Sequence, residues 1–194
     1  MPDTPTSDAS ARIWAFHLVV VSVAGGMFWS VSYPGIHFFL FAASACASVL
    51  VACFWLGWII YVGSTRGGWK RWFLIGPAIG ALTVVLLAAG APVKLRWAAS
   101  QGAFATVVAG HPIPPPGSAW KSFAVPSRLG LYSITSADWV PGGAIFYEAN
   151  GAMFDDAGFA YLPGGPTREL NTGLFENPRF RHLGGGWYSW TASW

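Results

Sequence analysis

Side chains able to do chemistry are few and dispersed in this sequence. The densest acidic group is Glu148, Asp155 and Asp156; the histidines are His17, His37, His111 and His182; the cysteines are Cys46 and Cys53. In Asp155-Asp156-Ala157-Gly158 an aspartate ordinarily caps its own backbone turn. A cation there needs several more oxygen ligands than two carboxylates supply. His111 and His182 would have to be brought together by the fold. Cys46 and Cys53, at i and i+7 on a helix, stand about 10 Å apart, too far for a disulfide between them. The surrounding alanines and serines offer no further metal ligand, which leaves both as small packing residues. No GxSxG, HExxH, CxxC, P-loop or Rossmann glycine pattern occurs. No nucleophile, base and orienting group can be named together. The sequence therefore points away from an enzyme, and it calls for no catalytic residue, no metal and no cofactor.

What must position these residues is set by the distribution of charge. Of 194 residues 54% are hydrophobic and 10% charged, against about 25% charged in soluble domains. Residues 13–65 contain no Asp, Glu, Lys or Arg; Arg66, Lys70 and Arg71 follow, and then residues 72–93 are again uncharged. Two uncharged blocks split by a basic loop describe an integral membrane protein. We expect three transmembrane helices over residues 13–31, 36–62 and 72–93, after a disordered N-terminal tail at 1–12. Residues 72–93 would rise roughly 33 Å as a helix, enough for a ~30 Å hydrocarbon core. The first run is longer than the core of a signal peptide and lacks its basic flank, so an uncleaved anchor is expected. Ser32-Tyr33-Pro34-Gly35 is a turn signal, with proline presetting φ and glycine accepting a positive one. His17 and His37 fall near span ends, and a transport path would show buried acidic or basic residues as well.

Small residues recur at helical spacing on each span: Ser22, Gly26 and Ser30 on the first, Ser44 and Ser48 on the second, Gly76 and Gly80 on the third. Such stripes let helices approach closely, within one chain or between copies. Juxtamembrane Arg12, Arg66, Lys70 and Arg71 outnumber Lys94 and Arg96. The positive-inside rule then makes the N terminus cytoplasmic and places the C-terminal part outside the cytoplasm, in a bacterial cell (inner) membrane. The net charge of +3 is small and its carriers are scattered or juxtamembrane, so no nucleic-acid partner is expected.

Residues 94–194 change character and are expected to form a small α+β domain. A helix over residues 95–109, with Leu95, Ala99, Ala103 and Val107 spaced by four, would pack on a sheet. Gly110 ends it, and residues 111–117 form a proline-rich connector. Strands are expected at 128–135, 144–148, 159–162 and 186–192, an antiparallel β-meander, with residues 163–179 as a polar loop or lid. Type IV pilins are similar in this helix-then-meander order. The domain's compositional excess is tryptophan. Trp187 and Trp190 point to opposite faces of one strand, so that both are hard to bury, and with Tyr188 and Trp194 they form a candidate partner surface.

Gly158-Phe-Ala-Tyr161 followed by Pro163-Gly, and His182-Leu-Gly-Gly-Gly-Trp187-Tyr-Ser-Trp190, resemble a group of uncharacterised actinobacterial multi-pass membrane proteins. The likeness covers the last span and the domain, and it implies no activity. The expected function is that of an accessory or assembly subunit, embedded in the lipid bilayer, whose extracytoplasmic domain binds a membrane or envelope protein or a second copy. The alternative is recognition of envelope glycan or lipid through exposed tryptophans.

Overall fold

The computed structural model describes residues 6–66, 71–115, 118–151, 153, 155–167, 170 and 175–193. Two compact units emerge: Met1–Trp29 with Phe39–Ala89, and Ser30–Phe38 with Gly90–Trp194. The chain thus passes between the units three times.

The first unit is helical. It holds α1 (Thr6–Val31), α2 (Phe38–Arg66), a 3-10 turn at Arg71–Leu74 and α3 (Ile75–Ala88). Two stretches, Ala11–Val31 and Phe38–Thr65, are long and apolar enough to cross a membrane, with mean hydropathies of 1.6 and 2.2. A third qualifies only as the bent pair Trp72–Ala88 and Ala91–Ala98, which changes direction by 66°. The uninterrupted span expected over 72–93 therefore ends early. Gly90 takes φ 65°, and Pro92 opens the next helix, α4 (Ala91–Ala98). A left-handed residue followed by proline stops one helix and starts another. At the other end, α1 begins at Thr6, inside the stretch expected to be a tail.

The second unit is a sheet covered on both faces. Helices α4 and α5 (Gln101–Ala109) are separated at Ala99 and Ser100, and Gly110 caps α5 as expected. Among the described residues the strands are β1 (Lys121–Ser122), β2 (Arg128–Leu129), β3 (Tyr132–Val140), β4 (Gly143–Glu148), β5 (Asp156–Tyr161), β6 (Glu176–Gly184) and β7 (Trp187–Ser193). Their order is β1-β3-β4-β5-β7-β6, antiparallel throughout, with β2 paired to β3 alone.

Two departures from a plain meander matter. Residues 128–135 are a hairpin, not one strand, because Gly130 at φ 58° turns β2 back on β3. Within the expected loop 163–179, Glu176 opens a further strand, β6, which pairs outside β7. Pro178, Arg179 and Arg181 disguise it in sequence, yet these are the residues an edge strand tolerates. Asn177, at φ 51°, sits where the β6–β7 register shifts.

Candidate functional site

The buried residues of α4 are Pro92, Val93, Arg96 and Trp97, and Ser100 in the break that follows is buried as well. Leu95, expected to face the sheet, is 66% exposed. The break at Ala99 and Ser100 rephases the two helices, and an arginine takes a core position that hydropathy assigns to the surface.

Arg96 organises the buried polar cluster of the second unit. Its Nη1 donates to Ser32 Oγ at 2.9 Å and its Nη2 donates to the Leu131 carbonyl. The guanidinium carbon lies 4.1 Å from the ring centre of Tyr33 and 4.5 Å from that of Tyr132. Tyr132 donates its hydroxyl to the Ser32 carbonyl at 3.1 Å. Ser100 Oγ donates to the Arg96 carbonyl and accepts the Leu131 N–H at 3.0 Å. Arginine suits this position: its planar fork satisfies several acceptors while its face stacks on aromatic rings. The cluster thereby holds the connection between α1 and α2, Ser30–Phe38, inside the unit formed by residues 90–194.

Backbone fit completes the attachment. A Cβ on Gly35 would fall 1.8 Å from the Gly151 carbonyl, so only glycine permits this approach. The positive φ expected of Gly35 belongs instead to Ile36, at 66°, a strained geometry for a β-branched residue. Beside Gly151, Glu148 accepts from Asn150 N at 2.7 Å and from Asn150 Nδ2 at 3.4 Å. Burial raises its pKa, opposed by those hydrogen bonds, by the Ser133 N–H and by the charge of Arg96. Burial likewise pushes the Tyr132 phenol well above the usual tyrosine range. These polar groups grip one another and the backbone, an arrangement for holding a loop.

The tryptophans correct the expected partner surface. Trp187 is 7% and Trp190 1% exposed. They do lie on opposite faces, as alternation requires. Trp187 joins Trp97, Phe104 and Phe159 beneath α4 and α5, whereas Trp190 packs with Ile145, Leu162 and Leu170 on the other face. Leu170, fully buried, and Phe175, 4.7 Å from Trp190 between ring centres, come from the stretch expected to be a polar lid. Leu170 and Phe175 pack against Trp190, and with both rings buried neither Trp187 nor Trp190 offers a platform. Tyr188 is half-buried, and Trp194 lies outside the described residues. Comparison with protein-family models, with curated proteins and with solved structures finds no match to this chain.

The remaining titratable groups do not converge. Among the described residues no three His, Cys, Asp or Glu side chains come together. His111 packs against Phe123 and Trp139, and His182 against Tyr188. Asp156 opens β5, its pKa raised by burial and then by Asp155. Cys46 and Cys53 are exposed, pointing out of the helical unit rather than packing within it. His17 Nδ1 bonds the Ile13 carbonyl at 2.7 Å.

In the first unit the small residues divide into two groups. A Cβ on Gly26 would meet Ser44 Oγ at 2.7 Å, so α1 and α2 approach closely there. Ser44 is buried and Ser22 exposed, whereas Ser30, also buried, belongs to the second unit. Ser48 Oγ donates to the Ser44 carbonyl at 2.8 Å. Gly80, by contrast, has nothing within 4 Å of its Cβ position. It opens onto an apolar cavity of about 430 Å³ between α1, α2 and α3, which Gly76, Ser48 and Thr83 also line. The hydroxyl of Thr83 donates to the Ile79 carbonyl at 2.8 Å, which satisfies the donor inside its own helix. No charged side chain lines the cavity. Sequence spacing found the glycines and read them as helix contacts; whether a partner helix fills the space beside them is decided by tertiary packing.

Proposed function

We propose that this is a three-span membrane protein whose second unit stands outside the cytoplasm and serves as a binding module, an accessory or assembly subunit for another membrane or envelope protein. One observation carries the reading: Ser30–Phe38 folds into the same unit as Gly90–Trp194. Parts of one folded unit lie on one side of a bilayer. If α1 and α2 each cross, the loop between them and the C-terminal residues share a side, and α3 has to cross as well. The length of α3 is compatible with this. Four residues of 3-10 helix and fourteen of α-helix rise roughly 29 Å, close to the ~30 Å hydrocarbon core.

The charges favour the same arrangement. Arg66, Lys70 and Arg71 fall in sequence between α2 and α3, and the positive-inside rule assigns such a loop to the cytoplasm. Arg96, which would have counted against it, is withdrawn into the core. A binding role fits a unit whose buried polar groups serve its own folding, and the resemblance to actinobacterial membrane proteins is consistent with a bacterial cell membrane.

Reporter fusions after Trp194 and within residues 63–68 test the topology. We expect the first to report outside and the second inside; two reporters on the same side overturn the three-span reading. Purification of the full chain in mild detergent after cross-linking in cells tests the role. A stoichiometric second protein or a homo-oligomer is expected, and a monomer alone refutes it.

A further inference from the structure

Glycine is required at position 90 on two counts. Its φ of 65° strains any side chain, and a Cβ there would meet the Arg181 guanidinium, with Cζ at 2.8 Å, Nη1 at 2.9 Å and Nη2 closer still. The guanidinium therefore lies against the backbone of Gly90, the N-cap of α4, although Arg181 as a residue is exposed. Such packing orders the planar fork and leaves it open to solvent, the condition in which arginine binds a phosphate with least loss of freedom. Two further cations belong to the same region. Arg179 and Arg181 pair with Thr191 and Ser189 of β7, so both stand on the face of the sheet that Trp187 shares. Lys94, exposed, is one helical turn past Gly90, its N–H bonded to the Gly90 carbonyl at 3.3 Å, and helical side chains lean back over the preceding turn. No Asp or Glu occurs in α4, α5 or β7, and β6 has Glu176 alone, opposite Ser193 at the far end of the strand.

Connectivity sets the depth of this patch. Gly90 follows Ala89, the C-cap of α3, by one peptide bond. Where α3 leaves the hydrocarbon core, Gly90 and the guanidinium upon it stand among the headgroups. Exposed aliphatic residues accompany them: Leu95, next to Lys94, is 66% exposed, and Ile36, on the connection that follows α1, is 40% exposed. Cations beside exposed aliphatic side chains match a bilayer surface, with phosphate at the charges and the acyl boundary at the apolar groups. We propose that Arg181, with Arg179 and Lys94, binds the phosphate of an anionic glycerophospholipid in the leaflet where α3 ends, with Leu95 set at the acyl boundary. The inference rests on α3 crossing the bilayer, as proposed above.

The test uses the full chain in nanodiscs of phosphatidylglycerol and phosphatidylcholine in equal parts, released gently and weighed by native mass spectrometry. Residues 66–71 stay unchanged in every variant, so differences report this patch. The natural sequence should retain phosphatidylglycerol in preference. Arg179→Gln with Arg181→Gln should lower that preference about twenty-fivefold, at roughly fivefold per arginine, and Lys94→Gln about fivefold, with near-ultraviolet circular dichroism unchanged. If the arginine pair fails to fold, Lys94→Gln at its exposed position reads the same effect. A preference undiminished in these variants overturns the site, and loss of the retained lipid to inorganic phosphate alone overturns the lipid in favour of a free anion. A nitroxide on Leu95→Cys, in a background lacking Cys46 and Cys53, should relax with oxygen and resist a water-soluble paramagnetic agent; the reverse overturns membrane contact. The reporter fusions read the crossing of α3 separately. With the reporters on opposite sides and Leu95 in water, this inference fails while the topology stands; with both reporters on one side, the topology itself has failed.

Discussion

Replacing Arg96 by methionine tests whether the α1–α2 connection is a working part of the second unit. The substitution keeps most of the aliphatic stem, so lost packing is small, and removes the hydrogen bonds to Ser32 Oγ and the Leu131 carbonyl. Hydrogen bonds from a charged donor contribute about 1.5–3 kcal/mol each. The ring contacts at 4.1 and 4.5 Å add about 0.5–2 kcal/mol. These contributions overlap, and truncating one partner of a buried charged network typically costs about 3–5 kcal/mol. At about 3 kcal/mol, a unit of roughly a hundred residues loses about 12–24 °C in melting midpoint. The assay is near-ultraviolet circular dichroism of the full chain in detergent, which follows the buried tryptophans of the second unit. A second readout is maleimide labelling of Ser30→Cys in a background lacking Cys46 and Cys53. Ser30 is fully buried, so labelling reports release of the connection. Arg96→Met should raise its rate, and Ser32→Ala should add little in combination because the two residues share a contact. A midpoint within about 5 °C of the natural sequence, with Ser30→Cys still protected, would refute the reasoning.

Other substitutions probe separate parts of the argument. Trp187→Ala and Trp190→Ala should each destabilise the second unit by about 3–5 kcal/mol, measured by denaturant unfolding, whereas an exposed platform would leave stability unchanged. Gly158→Ala places a Cβ 1.8 Å from the Phe146 carbonyl of the neighbouring strand and should prevent β4–β5 pairing, read as loss of hydrogen-exchange protection over residues 144–148. Glu148 has a raised pKa in the folded state, so its contribution to stability is full below the ordinary value of 4.5 and falls as pH rises through the raised one. Glu148→Gln should flatten that part of the stability profile and leave the protein no less stable at neutral pH; a profile unchanged by the substitution would show that Glu148 is not the group responsible. Gly26→Ala should loosen α1 from α2 at Ser44, while Gly80→Ala should be tolerated, as compared by thermal unfolding of the helical unit.

The sequence alone determined the parts governed by local chemistry. Long uncharged runs have to leave water, so α1 and α2 were legible within a few residues at their inner ends, and Pro34 and Gly110 marked where the chain turns. Strand alternation placed β4, β5 and β7 and assigned Trp187 and Trp190 to opposite faces. Tertiary structure decided what lies over those faces. Residues distant in sequence supply the cover for Trp190, through Leu170 and Phe175, and no local pattern announces that a turn-rich stretch will bury a leucine. It also decided that β6 pairs outside β7, since an edge position accepts the proline and arginines that propensity rejects. The same holds for Arg96: an arginine is expected at the surface until Ser32, Tyr33, Leu131 and Tyr132 converge on it, and those partners come from two segments separated by some hundred residues. Helical spacing likewise found Gly76 and Gly80 but not what they face. A contact and a cavity need the same small residues, and only the placement of α1 and α2 tells them apart.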